Sequence, residues 1–187
     1  MNKNSDILII ESILKGDRNA FSLLYEKYKR RFLLTCVRYI KRRSEAEDCL
    51  QDAFIAIYKD LNKFDSNKGQ FYTWANRIVI NICLQRLRKK SVLNAFQDIF
   101  DYSHSISVDE EAIANLGLQE ITKIIQQLPK GYRTVFNMYI IDGYSHKEIS
   151  DQLGISVGTS KSQLNRAKKL LKTNLDEFSY KLVESYA

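Results

Sequence analysis

The chain has 187 residues, 44% of them hydrophobic and 27% charged, and its 29 Lys and Arg against 22 Asp and Glu give a net charge of +7. These values are typical of a folded soluble protein of one ordinary domain or two small ones. No apolar run is long enough to cross a membrane, and the polar start of the chain lacks the pattern of a signal peptide. One proline and seven glycines favour long helices.

The charge is distributed unevenly along the chain. Residues 1–90 carry 19 Lys and Arg against 10 Asp and Glu, residues 91–120 carry 6 acidic residues and no Lys or Arg, and residues 121–187 carry 10 against 6. Two basic segments thus flank an acidic one, as expected of a protein that contacts a polyanion at two places. Ordinary surface charge on a protein of high isoelectric point is the alternative, and charge alone does not exclude it.

Helical periodicity runs through the first half of the chain. Apolar side chains recur every three or four residues from Phe21 to Phe32 and again from Ala46 to Leu61, which predicts two amphipathic helices. Ser44 and Glu47 have the spacing of a capping box at the start of the second helix. The turn residues of KFDSNKGQ then predict a loop.

A third helix is predicted for FYTWANRIVINICLQRLRKK. Besides its apolar face it carries a polar and cationic stripe suited to a nucleic-acid backbone. This stripe consists of Thr73, Arg77, Asn81, Gln85 and Arg88. Phe64, Lys68 and Gln70 in the loop, with Trp74, resemble a platform for unstacked bases. The alternatives are that Phe71 and Trp74 are core anchors and that the stripe is only solvated.

The segment from Ser91 to Ser107 loses the helical pattern and is acidic and serine-containing. It is predicted to be a flexible linker between two helical domains, residues 1–90 and residues 108–187. Ser107 and Glu110 predict a capping box for the first helix after the linker, and that helix is predicted to stop before Pro129. The predicted fold class is all-α.

A helix-turn-helix is predicted within SHKEISDQLGISVGTSKSQLNRA. Ser145 and Glu148 form a capping box, Gly154 occupies the turn, and Ser156 is placed to cap the second helix. That helix presents side chains able to reach phosphates and base edges in a major groove. They are Thr159, Lys161, Ser162, Asn165 and Arg166. The alternative is a surface hairpin whose polar residues only face water.

The cysteines and histidines do not predict a metal site. The three cysteines, Cys36, Cys49 and Cys83, are far apart in sequence and lie among apolar residues, so buried thiols in a reducing cytoplasm are expected. His104 and His146 have no Cys or His neighbour at ligand spacing. No nucleotide-binding loop or nucleophile–base pair is apparent either, so no cofactor and no enzymatic activity are predicted.

Two segments together resemble a known family. AEDCLQDAFIAIYKDLNKF with GQFYTWANRIVINICLQRLRKK is similar to the second conserved region of bacterial sigma factors. LPKGYRTVFNMYIIDGYSHKEISDQLGISVGTSKSQLNRAKKLL is similar to their fourth region. This order, with only a short linker, resembles the extracytoplasmic-function (ECF) group of the sigma-70 family. The resemblance covers roughly residues 10 to 175 and implies a region 2 helical bundle and a region 4 helix-turn-helix.

The resemblance implies a cytoplasmic promoter-specificity subunit that binds core RNA polymerase and promoter DNA. In the helix at 45–61, it places Asp48, Gln51 and Asp52 against the clamp helices of the largest polymerase subunit. An ordinary solvated acidic face is the alternative. An anti-sigma protein that sequesters both domains is a further possible partner.

The resemblance also assigns DNA contacts. Melting of the minus-ten element and capture of a flipped base are implied for Phe64, Lys68, Arg77 and Asn81. Reading of the minus-thirty-five element is implied for Lys161, Ser162, Asn165 and Arg166. Many members have an aliphatic residue in place of Ser160 and an arginine in place of Lys161, and lysine gives up bidentate recognition of guanine. The preferred upstream sequence is therefore expected to differ from that of better-known relatives.

Two other functions remain open from the sequence. A stand-alone helix-turn-helix regulator would bind promoter duplex without polymerase, and its N-terminal domain would sense a ligand or dimerise. An enzyme of nucleic-acid metabolism is disfavoured because no catalytic constellation is apparent.

Overall fold

The computed structural model describes residues 3–94 and 116–185, and side chains for residues 5–89 and 121–175. The chain divides into two compact units, one from each range. Within the described ranges every regular element is helical, which confirms the all-α prediction. No described helix is both long enough and apolar enough to span a bilayer.

Unit 1 contains four α-helices and a short 3₁₀ turn within its described residues. These are α1 (Lys3–Leu14), α2 (Arg18–Tyr39), α3 (Arg43–Asp60), the 3₁₀ turn (Leu61–Lys63) and α4 (Phe71–Asn94). The helix α4 continues four residues into the segment predicted to be the linker. The remaining predicted linker, residues 95–107, and the predicted Ser107–Glu110 cap lie outside the described residues.

The predicted capping box at Ser44 is wrong. With Ser44 as the N-cap the helix would begin at residue 45, whereas α3 begins two residues earlier, at Arg43, and Arg42 at its N-cap makes no side-chain capping bond. Glu47 accepts a hydrogen bond from Nε of Arg43 at 2.6 Å instead, an (i, i+4) ion pair of the kind that supports an exposed helix. Arg43 is thus the stronger local partner of Glu47, and the glutamate that the capping box requires is already paired.

The core of unit 1 forms where α2, α3 and α4 pack on one another. Large aromatic rings fill it: Phe32 lies 5.6 Å from Phe54, and Tyr28 lies 5.2 Å from Phe71, between ring centroids. Burial of such rings is the main favourable contribution to the stability of a helical bundle. The shared core fixes the positions of the exposed faces of α3 and α4.

The N-terminal helix α1 is attached to this bundle by a buried carboxylate. Asp6 is only 7% exposed; it accepts a hydrogen bond from the Tyr28 hydroxyl at 2.7 Å and pairs with Nζ of Lys27 at 2.6 Å. Burial and this hydrogen bond raise the pKa of Tyr28 above its usual range. The tyrosine therefore remains a hydrogen-bond donor at neutral pH.

Unit 2 contains four α-helices within its described residues. They are α5 (Leu116–Gln127), α6 (Lys130–Phe136), which continues as a π-helical turn (Asn137–Ile141), α7 (His146–Leu153) and α8 (Val157–Ser185). The predicted stop before Pro129 is confirmed. The buried side chain of Arg133 donates from one terminal nitrogen to the carbonyls of Gln126 and Leu128, both at 3.1 Å. It thereby satisfies carbonyls at the end of α5, and burial lowers its pKa to about 10.

The turn between α7 and α8 forms as the sequence predicts. Ser145 and Glu148 make both hydrogen bonds of the capping box, Gly154 is left-handed with φ of +66°, and the hydroxyl of Ser156 accepts from the backbone N–H of Thr159 at 3.0 Å. Each device satisfies backbone groups that helix ends leave without partners. Together they fix where α8 begins.

A polar pair joins α7 to α8. Nδ1 of His146 lies 2.9 Å from the hydroxyl of Ser160, which is completely buried, and the histidine ring stacks on Tyr139 with centroids 4.3 Å apart. The buried hydroxyl of Ser160 is therefore satisfied. Burial, together with the positive charges of Lys161 and Lys168, lowers the pKa of His146.

We expect Gly154→Ala to lower the free energy of unfolding of unit 2 by about 1–2 kcal/mol, because an L-residue is strained in the left-handed region. No atom lies within 4 Å of a Cβ added there, so the cost is one of backbone conformation. Gly158→Ala is the matched control: it lies within α8, its Cβ would be 3.6 Å from the Ser156 hydroxyl, and it should gain roughly 0.5–1 kcal/mol. Hydrogen exchange of unit 2 amides measures both changes; equal effects would contradict this explanation.

Unit 2 should lose stability as the pH falls below the ordinary histidine pKa of about 6.5. The lowered pKa of His146 in the folded state means that the unfolded chain takes up a proton first, so protonation favours unfolding. The contribution of neutral His146 to the free energy of unfolding is fully present above pH 6.5 and decreases below it. Hydrogen exchange of unit 2 between pH 7.5 and pH 5.5 measures this effect, and His146→Gln should reduce it; an unchanged pH dependence in that variant would assign the effect elsewhere.

Candidate nucleic-acid interface

The first half of α8 divides its side chains between a buried and an exposed face. Ser160, Leu164, Ala167 and Leu171 recur every three or four residues and are buried, so they lie on one side of the helix. The exposed set contains four of the predicted upstream contacts: Lys161, Ser162, Asn165 and Arg166. The helix therefore brings two cations and two neutral polar groups together on its outer surface.

Thr159 differs from these four residues. It is half-buried, its backbone N–H donates to the Ser156 hydroxyl, and its own hydroxyl lies 2.9 Å from the same oxygen. These contacts engage it in the cap at the start of α8. Its predicted contact with DNA stays a prediction.

The predicted stripe on α4 lies largely in solvent. Thr73, Arg77, Gln85 and Arg88 are exposed, whereas Asn81 is half-buried. The side-chain oxygen of Asn81 is buried without a hydrogen-bond partner among the described residues. An acceptor in that state is costly.

The aromatic residues near the 64–70 loop form a cluster. Phe71 is only 2% exposed, which supports the alternative that it is a core anchor. Phe64 and Trp74 are half-buried, and the Phe64 centroid lies 5.6 Å from the centroids of both Phe71 and Trp74. Lys68 is exposed and pairs loosely with Asp65 at 3.7 Å. The loop and the start of α4 thus combine half-buried aromatic rings with an exposed cation.

The third predicted surface lies on α3. Asp48, Gln51 and Asp52 are exposed and share one side of the helix, since they are three and four residues apart. Arg86 on α4 pairs with both carboxylates, at 3.8 Å to Asp48 and 3.5 Å to Asp52. The face is therefore an acidic patch with an arginine at its edge.

Three residues at these surfaces are not among those predicted from the sequence. Arg86 contacts the α3 patch from another helix, and Tyr132 on α6 accepts a hydrogen bond from Arg166 at 3.2 Å; neither contact has a sequence signal, because the partners are far apart in the chain. Ile55 is 54% exposed, and its position three and four residues after Asp52 and Gln51 could have indicated that it extends the α3 face.

The buried thiols meet in the core of unit 1. Cys36, Cys49 and Cys83 are buried and unpaired by disulfides, and the Cys83 thiol hydrogen-bonds to the other two. These bonds and burial raise the pKa of Cys83, whereas the bond from Cys83 lowers that of Cys49. Among the described residues no group of three or more His, Cys, Asp and Glu could hold a metal ion.

Family models match both units. The model for sigma-70 region 2 matches residues 24–92, and the model for sigma-70 region 4 matches residues 118–171. The first match contains the α3 face, the 64–70 loop and the α4 stripe, and the second contains the outer face of α8. The two regions follow one another in the order that the sequence predicted.

Whole-chain comparisons agree. The chain is 34% identical over 177 residues to the ECF RNA polymerase sigma factor SigW of Bacillus subtilis, covering 89% of this chain and 94% of SigW. It is 30% identical to the RNA polymerase sigma-H factor of Pseudomonas aeruginosa, with 91% and 94% covered. The sigma factor RpoE of Bartonella quintana, solved with the anti-sigma factor NepR, has a similar fold: its TM-score is 0.55 at 23% identity, over 82% of this chain and 93% of RpoE. From these matches and the two region models, the chain belongs to the sigma-70 family of RNA polymerase sigma factors, within its extracytoplasmic-function group.

Proposed function

We propose that this protein binds core RNA polymerase in the cytoplasm and directs it to promoters with two separate elements, unit 1 acting at the minus-ten element and unit 2 at the minus-thirty-five element. The observation that carries the proposal is the presence of regions 2 and 4 in one chain, each with an exposed polar face. A stand-alone regulator is not favoured, because it has no use for a region 2 unit.

The outer face of α8 supports recognition of the upstream element. Arg166 has the geometry for bidentate contact with guanine, and Asn165 has that for adenine. Lys161 contributes a compact positive charge but lacks the planar pair of donors that arginine has. It therefore suits a phosphate or a single acceptor. The face therefore combines positioning and base reading in a single turn and a half of helix.

The α4 stripe and the 64–70 loop support opening of the duplex. Arg77 and Lys68 provide charge for the phosphates, Phe64 provides a ring for stacking, and the half-buried Asn81 adds an amide beside Arg77 on the same stripe. Unstacking a base costs a few kcal/mol, which such contacts offset. No covalent step is needed, so the catalytic chemistry belongs to the polymerase.

The α3 face supports docking on polymerase. Its carboxylates are held by Arg86, and Ile55 adds an exposed apolar side chain on the same side of the helix. An exposed apolar side chain surrounded by charged groups suits an interface whose apolar centre has a polar rim. An anti-sigma protein that covered α3 and α8 would block both polymerase and DNA, and we include such a regulator in the proposal.

The decisive experiment is run-off transcription with sigma-free core polymerase on fragments of genomic DNA. Adding the protein should give promoter-dependent transcripts that core enzyme alone does not make. If no template gives such a transcript, or if the protein binds the same promoters equally well without polymerase, the proposal fails.

The two surfaces should be separable by mutation. Lys161→Ala with Arg166→Ala should weaken holoenzyme binding to the upstream element by at least roughly 10- to 100-fold, since the base contact of Arg166 alone is worth about 1–3 kcal/mol, and should leave binding to core polymerase unchanged. Lys15→Ala with Lys123→Ala removes the same charge from exposed positions outside the predicted DNA contacts and serves as the control. Loss of core binding in the α8 double variant would contradict this division.

The reciprocal change is Asp48→Asn with Asp52→Asn. These isosteric substitutions should reduce affinity for core polymerase about tenfold or more, because a charged interfacial hydrogen bond is worth roughly 1.5–3 kcal/mol. Glu11→Gln with Glu26→Gln changes the net charge equally at other exposed positions of unit 1. Equal loss in both double variants would show a general charge effect and not a docking face.

A further inference from the structure

The side chain of Arg166 is tied to another helix. One terminal nitrogen of its guanidinium donates a hydrogen bond to the hydroxyl of Tyr132 on α6, 3.2 Å away. Both groups lie at the outer surface of unit 2, beside the exposed start of α8. A long, exposed side chain in the proposed reading face thus has a fixed neighbour.

The core of unit 2 holds that neighbour in place. Tyr132 is half-buried, and its ring packs against a buried cluster. The cluster consists of Ile124, Ile125, Leu128, Ala167 and Leu171. Two members, Ala167 and Leu171, belong to α8 itself, so the ring lies against the same helix that carries Arg166. Packing determines the ring position, and the ring position determines where the hydroxyl lies.

The hydrogen bond has two consequences for Arg166. It restricts the rotamers of a side chain that otherwise loses much conformational entropy when it binds. It also occupies one terminal nitrogen, and the guanidinium has five N–H donors in a planar fork. The donors that remain keep a fixed orientation and can still make the paired contact with O6 and N7 of guanine.

We propose that Tyr132 is a positioning residue for base recognition: its hydroxyl orients Arg166 toward a guanine of the upstream element without touching the DNA. The proposal rests on the proposed function of unit 2 and adds to it a residue on a different helix. Selectivity at one base position then depends on the core of the unit as well as on α8.

Tyr132→Phe tests this, because it removes the hydroxyl and keeps the packed ring. Holoenzyme binding is measured by competition on a set of upstream elements with every single-base change. Comparison of wild type with Arg166→Ala first identifies the position that Arg166 reads. At that position, Tyr132→Phe should reduce discrimination roughly three- to tenfold, and it should leave the other positions, the salt dependence and the melting temperature unchanged.

Two controls make the outcome specific. In the Arg166→Ala background, Tyr132→Phe should have no further effect, since the hydroxyl acts only through the guanidinium. Tyr139→Phe removes a hydroxyl from another tyrosine of unit 2 and should leave discrimination unchanged.

Several results would overturn the inference. A uniform loss of affinity at all positions would overturn it, as would no change in discrimination or no position that depends on Arg166. An equal effect of Tyr132→Phe with and without Arg166 would show that the hydroxyl does not act through the guanidinium. A reduced salt dependence would show that Tyr132 holds Arg166 against a phosphate and not a base. Each leaves promoter-dependent transcription by the wild-type protein intact, so this failure is distinguishable from failure of the proposed function.

Discussion

The packing of α4 and α8 against their own cores determines which of their side chains face outward, and both proposed DNA surfaces depend on it. A helix can bury only about one stripe of side chains. Packing buries Ala75 and Val79 in α4, and Leu164 and Ala167 in α8. The cationic stripe on the remaining surface of each helix therefore has to lie in solvent. Burial of the apolar side chains holds both helices against their cores and thereby leaves the charged faces exposed. The exposed charges themselves contribute little to the free energy of unfolding.

Local devices were predictable from the sequence because their partners lie within a few residues. The cap at Ser145, the left-handed Gly154 and the stop before Pro129 each depend on short-range sterics or hydrogen bonds. The capping box predicted at Ser44 also depends on residues close in sequence, but it does not form. Glu47 had two local partners to choose between, and residue spacing alone does not show that it pairs with Arg43 and not with the backbone at Ser44. The end of α4 was predicted too early because apolar periodicity fades before the helix does.

The candidate surfaces were predictable as helix faces, but not as arrangements of side chains. Residue spacing identified Lys161 and Arg166 on α8 and Asp48 and Asp52 on α3. It could not reveal that Tyr132 holds Arg166 or that Arg86 holds the two carboxylates, because such pairs depend on which helices pack together. The same reason explains Phe71, whose aromatic character is equally consistent with stacking on a base and with the burial that is observed.

The contacts of Arg133 at the connection between α5 and α6 have a consequence for purification of the protein. Arg133 is buried and bound to two main-chain carbonyls, and a buried contact of this kind is shielded from mobile ions. The contacts proposed for Lys161 and Arg166 at the surface are not shielded. Concentrated electrolyte should therefore strip nucleic acid from the protein during purification while the helices around Arg133 stay folded, and this gives a simple route to material free of bound DNA.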